Sequence, residues 1–229
     1  GIKDVMDEKI IMQGKNHRIS DIKEELKSIQ DGKLDGFIKK YDEDTRSGVV
    51  KLVDTAKKRM EKYEDELLRT ENLKKYEKQY KDYGYICGID EVGRGPLAGP
   101  VLAACVVLPA DWDIPGLDDS KKLSEKKRNE MFQIISDRAL AIGTGMADNN
   151  TIDEINILNA TKQAMRQAVA EAEKQLGDAI GHVLVDAVTI EGIGNEQTAI
   201  IKGDAKSISI AAASIIAKVT RDNMMKEYA

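Results

Sequence analysis

Apolar positions along the 229-residue chain change period near residue 85. Before that point they recur at helical spacing. Ile22, Leu26 and Ile29 follow Ser20-Asp21, with Glu24 three residues beyond Asp21, the pattern of a helix cap. Phe37, Ile38 and Tyr41 open a second short helix behind the Asp31-Gly32 and Asp35-Gly36 breaks. From Val49 onward Leu52, Val53, Ala56, Met60, Tyr63 and Leu67 make one stripe of a long helix that continues in some form to Tyr80. Beyond residue 85 the apolar runs are short and nearly continuous. Residues 85–89, 101–108, 139–146, 182–186 and 199–201 read as five strands.

Helical patterns separate the later strands. Residues 125–138 follow Ser124 as a natural N-cap, and 155–176 follow Thr151, with Ala160, Ala164, Ala168 and Ala172 forming a small-residue stripe. Residues 207–229 are apolar through Ile210, Ala213, Ile216 and Ala217. This order predicts an α/β fold with a mixed five-stranded sheet flanked by helices, preceded by a small helical domain. The expected divisions are a helical domain over 1–68, a charged connector over 69–84 and the main domain over 85–229.

Charge narrows the partners. The net charge is −5, so the molecule is no polycation and a purely electrostatic nucleic-acid coat is excluded. Residues 1–84 hold 20 Lys/Arg against 19 Asp/Glu, and the remainder 15 against 21, which makes the N-terminal part the better partner for nucleic acid. Lys74, Lys75, Tyr76, Lys78, Tyr80 and Lys81 interleave bases with aromatics, a composition suited to phosphates and sugars. The plainer reading, a solvated helix with its tyrosines packed inward, is favoured. Cys87 and Cys105 read as buried strand thiols of a reducing compartment. No run is long and apolar enough to span a membrane, the chain opens on Gly1 without a signal-like apolar region, and the expectation is a cytoplasmic monomer.

The chemistry concentrates between the first two strands, in Gly88-Ile-Asp-Glu-Val-Gly-Arg-Gly-Pro-Leu-Ala-Gly-Pro100. Asp90 and Glu91 end an apolar run, where adjacent acids are costly without a cation or hydrogen bonds. Gly93-Arg94-Gly95 adds a phosphate-directed fork between residues that allow close backbone approach. Asp186 closes another apolar strand, and neighbouring parallel strands would set it beside Asp90. A further acid comes from near the C-terminus, where spacing alone leaves Asp204 and Asp222 as rivals. Carboxylates crowded in this way suit Mg²⁺ or Mn²⁺ and a two-ion phosphoryl displacement. His17 and His182 sit in settings that do not support a histidine mechanism. No serine has a recognisable base beside it, and the glycine-rich loop lacks the Gly-Lys-Ser/Thr ending of a nucleotide-binding P-loop.

The stretch Ile89 to Pro100 resembles the signature of type 2 ribonuclease H, the bacterial ribonuclease HII family. Asp119-Ser120-Lys121-Lys122-Leu123, Leu184-Val185-Asp186-Ala187, and Lys202-Gly203-Asp204 leading to Ala217-Lys218-Val219-Thr220-Arg221-Asp222 resemble that family in the same order. The resemblance runs from about Tyr85 to Ala229; the helical extension is comparable to that of some Bacillus-like members. It implies a ribonuclease H-like fold and a metal site of Asp90, Glu91, Asp186 and Asp204, preferring Asp204 to Asp222. It also implies cleavage on the 5′ side of ribonucleotides in RNA–DNA hybrids or in duplex DNA, leaving 3′-hydroxyl and 5′-phosphate ends. Gly93, Arg94 and Gly95 would read the 2′-hydroxyl, and Lys121, Lys122, Lys202 and Ser207 would contact backbone phosphates. Family members continue past Ala229 into a tail that supplies a sugar-stacking tyrosine, which Tyr228 precedes. The chain therefore reads as truncated there, and a hybrid-binding protein with an incomplete substrate platform stands as the rival expectation.

Overall fold

The computed structural model describes residues 2–5, 17–94 and 99–227. It divides into two compact units, residues 1–69 and 70–229.

In the first unit α1 (Ile19–Ser28), α2 (Leu34–Tyr41) and α3 (Ser47–Asn72) bury Ile22, Leu26, Phe37, Tyr41, Val53 and Ala56 in a common core. These are the positions that the helical period marks. The guanidinium of Arg59 fixes the turn after α1, donating to the carbonyls of Leu26 at 2.8 Å and Ile29 at 2.6 Å and to Asp31 at 2.6 Å. The expected Ser20-Asp21 cap is not made. The helix starts at Ile19, at least two residues earlier, with Arg18 in the cap position and no side-chain cap bond, so both residues fall inside the first turn.

The second unit is a five-stranded mixed sheet in the order β3-β2-β1-β4-β5. Its strands are β1 (Ile86–Val92), β2 (Val101–Val107), β3 (Ala141–Ala147), β4 (His182–Asp186) and β5 (Glu196–Ile200). The pairs β1–β2 and β2–β3 are antiparallel, while β1–β4 and β4–β5 are parallel. Strand β2 is buried along its whole length because both faces are covered. Ala103 and Cys105 face a core shared with α7 (Ile157–Leu176), and Leu102, Ala104 and Val106 face one shared with α5 (Glu125–Arg138) and α8 (Ile208–Glu227). Cys87 and Cys105 are free, buried thiols, and each packs in the α7-side core.

Missing side chains set how closely the layers approach. A Cβ at Gly143 would lie 2.0 Å from the carbonyl oxygen of Ala168, and one at Gly145 1.9 Å from that of Ala164. The alanine stripe of α7 therefore packs onto glycines of β3. On the other face a Cβ at Gly88 would lie 2.1 Å from the Ser209 backbone, which seats the start of α8 against β1.

Three sequence expectations shift. The helix expected over 155–176 is α7, but the stretch behind Thr151 does not run into it unbroken: a separate α6 (Asn149–Ile155) precedes it, and the two are parted at Asn156, whose φ is 69°. Asp148, not Thr151, caps α6, its side chain accepting from the Thr151 N–H at 2.9 Å. Residues 70–84 are not a free charged connector but part of the second unit. The Ile208 N–H donates to the Leu73 carbonyl at 2.9 Å, and Tyr76 and Tyr80, on and beside the short α4 (Lys75–Gln79), pack against Leu184, Ile200 and Ile210. The Tyr80 ring also stacks on His182 at 3.7 Å and 6°. His182 is thus a packing residue with its Nε2 bonded to the Thr198 hydroxyl at 2.8 Å.

Candidate metal centre

Parallel register creates the site. Ile89 of β1 pairs with Val185 of β4, so one further step along both strands sets Asp90 beside Asp186. Asp90 is 5 % exposed and its Oδ1 accepts the Glu91 N–H at 2.8 Å. The Oδ1 of Asp186 accepts the Gly203 N–H at 2.7 Å. This bond depends on a tight reversal after β5, where Lys202 adopts left-handed φ and ψ of 54° and 43°. A Cβ on Gly203 would meet Ile210 at 2.6 Å and Asp186 at 3.3 Å. Glycine lets the turn press onto Asp186, and the next residue, Asp204, then faces the same space.

Ligand oxygens of Asp90, Asp186 and Asp204 all lie within 4.8 Å of one another. Glu91 lines the same cavity of about 350 Å³, with Arg94, Lys121 and Gly93. A larger cavity of about 950 Å³ lies among Tyr85, Leu108 and Trp112 and contains none of these acids, so volume does not locate the chemistry.

The electrostatics are those of buried, crowded carboxylates that the nearby cations only partly offset. Burial, then repulsion from Asp186, raises the Asp90 carboxyl well above the usual range. Burial also raises Glu91, against the opposing pull of Arg94, whose Nη1 lies 3.9 Å from the Glu91 carboxylate. Asp204 is raised to about 6, by burial first and then by Asp119 and Asp186. An all-oxygen, anionic donor set of this kind fits a hard divalent cation.

Other residues anticipated from sequence divide clearly. Gly93 and Arg94 border the cavity. Gly93 has a φ of 98°, and a Cβ there would lie 2.6 Å from the Pro100 carbonyl oxygen and 2.7 Å from Arg221 Nε, which itself donates to that carbonyl at 2.9 Å. Gly95 lies outside the described residues. Lys121 lines the cavity, whereas Lys122 and Lys202 are exposed and outside its lining. Ser207 corrects its expected role. It is fully buried, and its hydroxyl donates to Glu77 at 2.6 Å, which leaves no surface for a phosphate. Asp222 pairs with Lys218 on the same helix at 3.0 Å and is not among the clustered acids.

Pattern reading missed Asp119, whose side chain shares a hydrogen bond with Asp204 while also accepting the Lys121 N–H at 3.0 Å. It missed Ser214, whose hydroxyl accepts the Ser120 N–H at 3.2 Å and ties the Asp119-Ser120-Lys121 turn to α8. Arg128 and Lys218, which complete the cavity wall, were also missed. The available signals were an acid opening a family-like block and a lysine interrupting the apolar run Ala217-Lys218-Val219.

Comparison with known proteins shows the family of the chain. The family model described as Ribonuclease HII matches residues 87–229, and that described as Ribonuclease HII N-terminal domain matches residues 18–81. A protein named Ribonuclease HII from Lachnoclostridium phytofermentans is 52% identical over 213 residues, 93% of this chain and 82% of that one. Among solved structures, the ribonuclease H2 from Pyrococcus horikoshii aligns with a TM-score of 0.52 and 27% identity, over 63% of this chain and 75% of that one. A chain from the PCNA:RNase HII complex of Archaeoglobus fulgidus aligns at 0.51 and 30%, over 63% and 76%.

Proposed function

The chain belongs to the ribonuclease HII family and is an endonuclease of that type, and on that premise we propose that Asp90, Glu91, Asp186 and Asp204 hold divalent cations of the Mg²⁺ or Mn²⁺ kind. The observation that carries this reading is the convergence of three carboxylate oxygens within 4.8 Å from two strand ends and one turn. Such a cluster is repulsive by itself, and the raised Asp90, Glu91 and Asp204 carboxyls are its signature. The chemistry that a pair of such ions supplies is activation of water and stabilisation of the leaving oxygen in an in-line displacement.

The proposed substrate is an RNA–DNA hybrid or duplex DNA with embedded ribonucleotides. Water adds to phosphorus on the 5′ side of a ribonucleotide as the 3′ oxygen of the preceding residue leaves, giving 3′-hydroxyl and 5′-phosphate ends. The reading gives the Gly93-Arg94-Gly95 loop the ribose 2′-hydroxyl, the group that separates RNA from DNA at a site. Lys121, in the cavity wall, takes a phosphate near the scissile bond, and Lys122 and Lys202 meet the backbone farther out. One chain carries all four acids, so no second subunit is needed. The role follows as removal of misincorporated ribonucleotides or primers in the cytoplasm, where the free thiols of Cys87 and Cys105 are at home.

The test is cleavage of a DNA duplex containing one ribonucleotide beside the all-DNA duplex, with Mg²⁺, with Mn²⁺ and with excess chelator. One cut 5′ to the ribonucleotide, in the metal lanes alone, is expected. Cleavage in chelator, or equal cleavage of the all-DNA duplex, overturns the reading. Binding without any cut would instead favour the hybrid-binding rival.

A further inference from the structure

Two basic side chains in the wall of the acid-lined cavity, Arg128 and Lys218, have no role in the reading above, and Lys218 is paired with Asp222 at 3.0 Å. Arg128 stands in the second turn of α5. Its Nε is buried and has no hydrogen-bond partner among the described residues. The bond its guanidinium makes is a long one, from Nη2 to the Leu123 carbonyl at 3.3 Å. A guanidinium carries five donors, and a buried donor left unpaired costs free energy. Arg46, Arg59 and Arg69 each rest on a carboxylate of the chain, and Arg221 is bonded to Pro100. Among the described residues no acid forms an ion pair with Arg128, although acids line the cavity it borders.

Its position adds a second, independent observation. Arg128 also borders a neighbouring open depression of about 390 Å³, whose other lining residues are Glu125, Asp222, Met225 and Lys226. It is the one residue common to the linings of both hollows. A strand with one phosphate at the acids and its continuation in the depression must pass over this guanidinium.

We infer that Arg128 binds a backbone phosphate of the cleaved strand next to the one under attack, an inference that rests on the ribonuclease reading above. The planar fork matches two phosphate oxygens. Arg128 thereby fixes how the strand leaves the metal centre, and the contact is blind to base and sugar.

The test uses the full chain, with Arg128→Gln and Arg128→Lys compared with the parent on the single-ribonucleotide duplex at several salt concentrations. Loss of one charge-assisted contact raises KM by about tenfold to a hundredfold. The slope of log(1/KM) against log salt falls by about 0.9 for one lost phosphate contact. The lysine variant keeps the parent's salt slope but recovers only part of the affinity, because a point charge replaces a fork. An Arg128→Gln enzyme with the parent's KM and slope overturns the proposal, as does a loss confined to kcat. If the glutamine variant does not fold, the lysine variant decides, and a parent-like KM from it overturns the two-oxygen fork. Failure of the parent itself to cleave would refute the ribonuclease reading, a distinct result.

Discussion

Substituting Asp204 by Asn should make the metal-free protein more stable while destroying its activity. The Asp204 carboxyl is raised from 3.8 to about 6, chiefly by burial and then by Asp119 and Asp186. A carboxyl raised in the folded state is held more tightly as the acid there than in the unfolded chain. Its stabilising contribution is therefore complete below the unfolded value and is lost as pH rises through the folded one, between about 4 and 6. Taken at face value the shift is about 3 kcal/mol at neutral pH. Asp204 is only half-buried, and solvent screening reduces that to about 1–2 kcal/mol. Asn carries no charge to repel. Metal-free Asp204→Asn should then melt roughly 2–8 °C above the parent at neutral pH, for a domain of this size.

Two controls make the prediction sharp. The gap should shrink to nothing toward pH 3, below the unfolded value, where the parent carboxyl is largely protonated in both states. Divalent cation should reverse the order, because an ion at a hundred times its Kd adds about 2.7 kcal/mol to the protein that binds it and little to the variant. The assay is thermal melting across that pH range in chelator, repeated with Mg²⁺, and the same samples are scored for cleavage. A variant no more stable than the parent in chelator at neutral pH, or a gap indifferent to pH, would refute the reasoning that crowded carboxylates strain the apo site.

The other predictions are briefer. Asp90→Asn should lower cleavage by more than about a hundredfold with the fold retained by circular dichroism, since the buried carboxylate at the centre of the cluster is lost; more than a tenth of parental activity would remove Asp90 from the metal site. Deleting residues 1–68 should weaken hybrid binding and flatten its salt dependence without slowing single-turnover cleavage of bound substrate; affinity unchanged at two salt concentrations would leave that unit without a binding role. Gly88→Ala should cost at least the 1–3 kcal/mol typical of overpacking, because the added methyl meets backbone atoms of Ser209 and Ile210 that no rotamer change can move; chemical denaturation showing a loss below about 0.5 kcal/mol would mean that β1 and α8 are less tightly seated than they look.

What the sequence reveals about the site follows from how each acid is presented. Asp90 and Asp186 each close an apolar run, and a βα order makes parallel neighbours of the two runs, so their meeting can be foreseen. Asp204 is different. Its approach depends on left-handed Lys202 and on Gly203 pressing against Asp186, details that no periodicity encodes, and by spacing Asp222 was a nearby rival. Asp119 was hidden for the opposite reason. An acid before Ser-Lys-Lys reads as a local cap, which it is, and nothing local shows that the same carboxyl reaches Asp204. Lysines beside it read as phosphate ligands, yet only Lys121 lines the cavity.

Spacing carries more than charge elsewhere. Residues 69–84 read as a charged connector, yet the favoured reading of the segment already packed its tyrosines inward, and Leu73, Tyr76 and Tyr80 stand at i, i+3 and i+7, the stripe of a helix with an apolar face. That stripe is the face buried against the second unit's sheet and α8. Ser207 belongs to the same lesson. It stands one residue before α8, where a hydroxyl caps a helix, and its oxygen accepts the Ile210 N–H at 3.2 Å while its own proton goes to Glu77. The bond joins the sequence judged a linker to the helix that bears Ser214 and Lys218 at the metal centre. Residues 70–84 are therefore part of the scaffold that positions the site, and a deletion meant to probe the first unit alone must stop before Thr70.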